Sequence, residues 1–236
     1  MEPKIMKRLA QFILQFFVAS ACVLILSSVA GAQAGAAKNA APYFVSTQWV
    51  ADHLKDPSLV LLAVGEKSDY DGGHIPGARS FDYDRVSTPH GSGLMLELPP
   101  VEELVKVFED VGVSDSSRVV VYFSSEWVTP TARVYLTLDY LGVRERVSYL
   151  DGGMAAWRKE GRVVSTEKPK FAKGTLTAHP RNDVVVKVDV VQQDLRKAGV
   201  AIVDVREAKC YGSAGSCYGE RPGHIPGAVN IPWEVL

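Results

Sequence analysis

The chain has 236 residues, 47% of them apolar and 22% charged, with a formal net charge of −1. This balance excludes a disordered chain, a collagen-like repeat and a polytopic membrane protein. No Lys/Arg cluster stands out to neutralise phosphates, which argues against a nucleic-acid binder, and three cysteines are too few for a disulfide-built fold.

In chain order, Met1 to Gln11 carries Lys4, Lys7 and Arg8, the run Phe12–Ala30 is apolar, and Ala30-Gly31-Ala32 is a small-x-small cleavage signal. Residues 1–32 therefore read as a secretory signal peptide, and the protein is expected to be exported, to a periplasm or beyond. The alternative is an uncleaved anchor, since this 19-residue run, broken by Gln15 and a few small residues, can just span a bilayer; that segment would be its one membrane contact. Ala19 argues against a lipoprotein signal at Cys22. Residues 33–42, rich in Ala, read as a flexible lead-in.

Beyond it, 45–55 is helix-like and Leu59–Val64 is a short apolar run, expected of a strand buried on both faces. Pro100 opens an amphipathic helix that ends at Gly112. Val119–Phe123 reads as a second buried strand. Thr129 is the expected cap of a helix that stops at Gly142, and Val147–Leu150 is the next strand. Asp151-Gly152-Gly153 then leads into a helix whose Trp157 is expected in the core. Residues 164–185, with Pro169, Gly174 and Pro180, read as a linker.

An internal repeat organises these elements. Gly73-His74-Ile75-Pro76-Gly77-Ala78 recurs letter for letter at 223–228, an offset of 150. Upstream, 45–55 matches 186–196 and Leu59–Val64 matches Val200–Val205 at an offset of 141, so the second copy carries nine extra residues between Ala208 and Gly219. The expected fold is α/β: two domains, 43–163 and 186–236, each a parallel sheet with helices on both faces. The second, with 51 residues, is read as the N-terminal part of a repeat.

The hexapeptide, then Val119-Val120-Val121-Tyr122 leading into a loop and helix, then Leu150-Asp151-Gly152-Gly153 with Trp157, resembles the rhodanese family. The tandem arrangement over about 45–236 is similar to thiosulfate and 3-mercaptopyruvate sulfurtransferases, in which a non-catalytic copy precedes a catalytic one. The resemblance implies a Cys at the end of the fourth strand, cradled by backbone N–H groups that favour the thiolate and then hold a persulfide. It implies a small anionic sulfur donor, a thiol or cyanide acceptor, and neither metal nor organic cofactor. In the first copy Phe123 stands where that Cys is expected, followed by Ser124 and Ser125; serine cannot form a persulfide. Ala63-Val64-Gly65 also stands where the second copy has Asp204-Val205-Arg206. The first copy is thus expected to be inactive, and the nucleophile to lie beyond Leu236.

In the second copy Asp204, Arg206 and Lys209 are candidate donor-binding residues. Asp204 and Arg206 also fit an ion pair supporting the loop, and Lys209 a solvated lysine. His74 and His224 read as structural turn residues, because the hexapeptide also recurs in the copy without a nucleophile. Cys210 and Cys217 are candidates for a disulfide in an oxidising compartment, with free thiols or an adventitious metal as alternatives. The rival to the enzyme is a non-catalytic rhodanese-like binding or scaffold module, and a third reading is phosphate or arsenate chemistry in the same cradle.

Overall fold

The computed structural model describes residues 40–89, 91, 96–125, 128–212, 217 and 222–235. The expected signal segment 1–32 and most of the lead-in lie outside the described residues, as do Glu126 and Trp127 and much of the nine-residue insertion. Among the described residues no helix is long and apolar enough to cross a membrane. The chain divides into two compact units between Arg181 and Asn182.

The first unit is a five-stranded, all-parallel sheet. Its strands are β1 (Phe44–Val45), β2 (Leu59–Val64), β3 (Arg79–Phe81), β4 (Arg118–Phe123) and β5 (Val147–Leu150), in the order β1-β5-β4-β2-β3. The helices are α1 (Thr47–His53), α2 (Lys67–Asp71), α3 (Val101–Asp110), α4 (Thr129–Tyr140) and α5 (Gly153–Lys159). A continuous apolar strand has to be covered twice, and here it is. Val60, Leu62 and Val64 of β2 pack with Leu104, Phe108, Val134 and Leu138 on one face. Leu61 and Ala63 pack with Val50, Tyr122, Met154 and Trp157 on the other.

The ends of the helices follow local chemistry, with one change. Ser46 caps α1 by accepting from the Trp49 N–H, and Gly112, at φ 78°, follows the end of α3. Thr129 is not the cap of α4: Val128 takes that place without a side-chain bond, and Thr129 and Pro130 open the helix.

The expected linker departs most from its sequence reading. Residues 164–181 have almost no regular structure but are bonded along the first unit. Ser165 exchanges two backbone bonds with His74, Gly174 N–H donates to Glu109 O, and Thr177 is held twice by the Asp115 carboxylate. Leu176 is buried in the core, and Arg181 pairs with Asp139 at 2.5 Å. The first unit therefore continues some eighteen residues past Val163.

The second unit contains α6 (Val188–Asp194), β6 (Val203–Asp204), α7 (Ala208–Tyr211) and β7 (Val229–Asn230). Only two residues of the expected strand Val200–Val205 are paired. Their register nevertheless repeats the first unit: Val203 faces Val229 as Leu62 faces Arg79, and Asp204 faces Asn230 as Ala63 faces Ser80. The faces differ. Leu62 and Ile75 are wholly buried, whereas their counterparts Val203 and Ile225 are each 44% exposed.

Candidate functional site

The two hexapeptides form one turn twice. Tyr70 stacks on His74 at 3.8 Å, its carbonyl faces His74 Nδ1 at 2.9 Å, and its hydroxyl donates to Ala78 O at 2.7 Å. Tyr211, His224 and Ala228 repeat all three contacts at 3.7, 2.8 and 2.7 Å. Gly77 and Gly227 sit at φ 79° and 86°, where a side chain is disfavoured. His74 is buried, and its Nε2 faces Glu167 O at 3.0 Å; His224 is exposed. Both histidines are turn elements in this geometry.

At the carboxyl end of β6 the second unit carries charge. Arg206 places Nε within 3.0 and 3.1 Å of the two Asp204 oxygens, and Nη2 within 2.6 Å of one of them. Nη2 also donates to Gly223 O at 2.8 Å, tying the pair to the turn. These bonds from Arg206, opposed by burial, hold the Asp204 carboxyl below its ordinary value. The Asn230 side-chain amide spans Asp204 O and Arg206 O at 2.8 Å each. Lys209 lies 2.5 Å from Glu207 at the exposed rim. Ile202, Asp204, Arg206, His224 and Ile225 line an open concavity of about 730 Å³. Cys210 and Cys217 are joined in a disulfide beside Tyr211.

The corresponding end of the first sheet carries no such pair at the matching positions, Ala63 and Gly65. The Phe123 ring packs against Gly153, so a Cβ on that glycine would come within 2.7 Å of it. Ser124 N–H donates to Val64 O, while its buried hydroxyl has no partner among the described residues. Ser125 is exposed. Gly65 and Ser124 nearly touch: a Cβ on Gly65 would meet Ser124 Cβ at 3.2 Å. Gly65 also sits at φ 148°, a backbone conformation that a side chain such as the arginine at position 206 rarely adopts.

The profile described as Rhodanese-like domain matches residues 46–160. The 3-mercaptopyruvate sulfurtransferase of Escherichia coli (strain K12) is 31% identical over 206 residues, 82% of this chain and 72% of that protein. The chain belongs to the rhodanese-like family. The thiosulfate sulfurtransferase of Azotobacter vinelandii is 34% identical over 184 residues, covering 77% of this chain and 66% of that one. Among solved structures, the crystal structure of SseA from Escherichia coli, described under 3-mercaptopyruvate sulfotransferases, is similar with TM-score 0.70 and 30% identity. That match covers 82% of this chain and 76% of the other.

On the rhodanese-like frame, the structure brings Asp204 and Arg206 together with the second hexapeptide and leaves Lys209 at the rim. The two turn histidines, together with Phe123 and Ser124, are bound into their own units by the contacts above, and Ser125 is exposed. Two residues without a role in the sequence reading join the site. Asn230 pins the β6 loop, and its only signal was its place two residues after the hexapeptide. Tyr211 anchors the turn, and its match to Tyr70 at the offset of 141 was visible in the repeat.

Proposed function

We propose that this chain serves a tandem rhodanese-like sulfurtransferase that moves sulfane sulfur from thiosulfate or 3-mercaptopyruvate to cyanide or a thiol. The first copy, 43–163 with its extension, is non-catalytic. The persulfide cysteine belongs to the second copy, in its counterpart of the β4–α4 loop, after Leu236. In the first half-reaction a thiolate attacks the sulfane sulfur of thiosulfate, forming the persulfide and releasing sulfite. In the second, cyanide takes that sulfur as thiocyanate and the thiolate returns. The persulfide is the carrier, and the chemistry calls for no metal or organic cofactor.

One observation carries the assignment of roles. The two copies share a turn and a strand register, yet only the second bears charge at the strand end, with Asp204 and Arg206 where the first has Ala63 and Gly65. Ligands of open α/β sheets bind at the carboxyl ends of strands. Arg206 would meet the donor's negative charge there, with Asp204 and Gly223 O fixing its fork. Lys209, paired with Glu207, stands at the rim. Sulfurtransferase relatives aligned over about four-fifths of the chain support the same reading. The disulfide supports export to an oxidising compartment.

The test is a mass measurement on the protein continued through the sequence encoded after Leu236. Incubated with thiosulfate, it should gain a single sulfur atom on a cysteine of the second copy. Sulfur on no cysteine would favour the non-catalytic binding module instead.

A further inference from the structure

The second turn is built across a longer excursion than the first. Tyr70 and His74 are four residues apart, while Tyr211 and His224 are separated by thirteen, yet the ring contact and the carbonyl contact are the same. Closing a longer segment on the same point costs more chain entropy. The first turn is also held from elsewhere in its unit. Arg158 donates to Gly73 O, Tyr122 OH accepts from Ile75 N–H, and Ser165 and Glu167 bond His74. In the second turn Gly223 O is taken by Arg206, and Cys210, adjacent to Tyr211, is cross-linked to Cys217. That cross-link shortens the covalent path from α7 to His224.

We propose that the Cys210–Cys217 disulfide is a redox-reversible lock on the second turn, and through Gly223 on the setting of Arg206. A dithiol reductant breaks the S–S bond by supplying two electrons and two protons. Cys210 and Cys217 become thiols and the reductant becomes its own disulfide. The turn is then held across the full excursion by the Tyr211–His224, Tyr211–Ala228 and Arg206–Gly223 contacts alone of those named above, and it opens more often. Arg206 loses a fixed acceptor each time. The consequence for donor binding rests on the sulfurtransferase reading; the lock itself does not.

The test is amide hydrogen exchange on the full 236-residue chain, air-oxidised and after treatment with dithiothreitol, alongside the double variant Cys210→Ser/Cys217→Ser. The first turn, 73–78, is an internal control with no disulfide. Exchange over 223–228 should rise about tenfold in the reduced chain and in the double variant, with 73–78 unchanged. Equal rates over 223–228 in the oxidised and reduced chains would overturn the proposal. So would equal acceleration of both turns, which reports general loosening. No sulfur donor is present, so failure here is distinct from failure of the sulfurtransferase assignment.

Discussion

The Tyr211 ring lies 3.7 Å from the His224 ring across thirteen residues of chain, reproducing within 0.1 Å the contact between Tyr70 and His74. The equivalence of the turns does not extend to their burial, and burial sets what each histidine contributes. His74→Ala would empty a buried site and remove the ring's contacts with the Tyr70 and Glu167 carbonyls. It should lower unfolding stability by about 2–4 kcal/mol in urea titrations. His224→Ala, at an exposed ring, should cost under about 1 kcal/mol.

The Asp204–Arg206 pair predicts an acid limb confined to the second unit. The folded-state value of Asp204 lies below the ordinary 3.8, so its contribution is fully present above pH 3.8 and is lost as pH falls through the lowered folded value. Protection of 223–228 against exchange, relative to the intrinsic rate at each pH, should therefore fall below pH 3.8 in the native chain. In Asp204→Asn that acid limb should disappear. An unchanged limb in the variant would assign it to other carboxylates.

Leu176 distinguishes an integrated segment from a linker. Its side chain belongs to the same buried cluster as Val113 and Leu141. Leu176→Ala should cost about 2–4 kcal/mol in urea unfolding, as other large-to-small core changes do. A free linker would tolerate the change without effect.

Gly153 reports on the packing at the carboxyl end of the first sheet. It sits at φ 54° with the Phe123 ring within 2.7 Å of a built Cβ. Gly153→Ala should destabilise by about 1–3 kcal/mol through backbone strain and overpacking. In a double-mutant cycle Phe123→Ala should recover part of that cost, because it removes the steric half and leaves the backbone half.

These positions also show what the sequence made legible. Leu59–Val64 is a continuous apolar run, Val147–Leu150 is apolar but for Ser148, and both are strands with those bounds. The offsets of 141 and 150 equate Val203 and Val229 with Leu62 and Arg79, the same partners that the sheet register joins. The segment 164–181 was opaque for a physical reason. It is tied down by scattered bonds to Glu109, Asp115, His74 and Asp139, which leave no periodicity and whose partners are far away in sequence. Asn230 was opaque likewise: its amide meets Asp204 O and Arg206 O only because β7 pairs with β6.

The most direct test of the central claim is thiocyanate formation from thiosulfate and cyanide, assayed on this 236-residue chain and on the protein continued past Leu236. The account predicts no product above blank from the first, because Phe123, Ser124 and Ser125 occupy the loop where a persulfide would form. It predicts ping-pong turnover from the second. Turnover by the 236-residue chain alone would contradict it, as would a folded, continued protein that makes no thiocyanate.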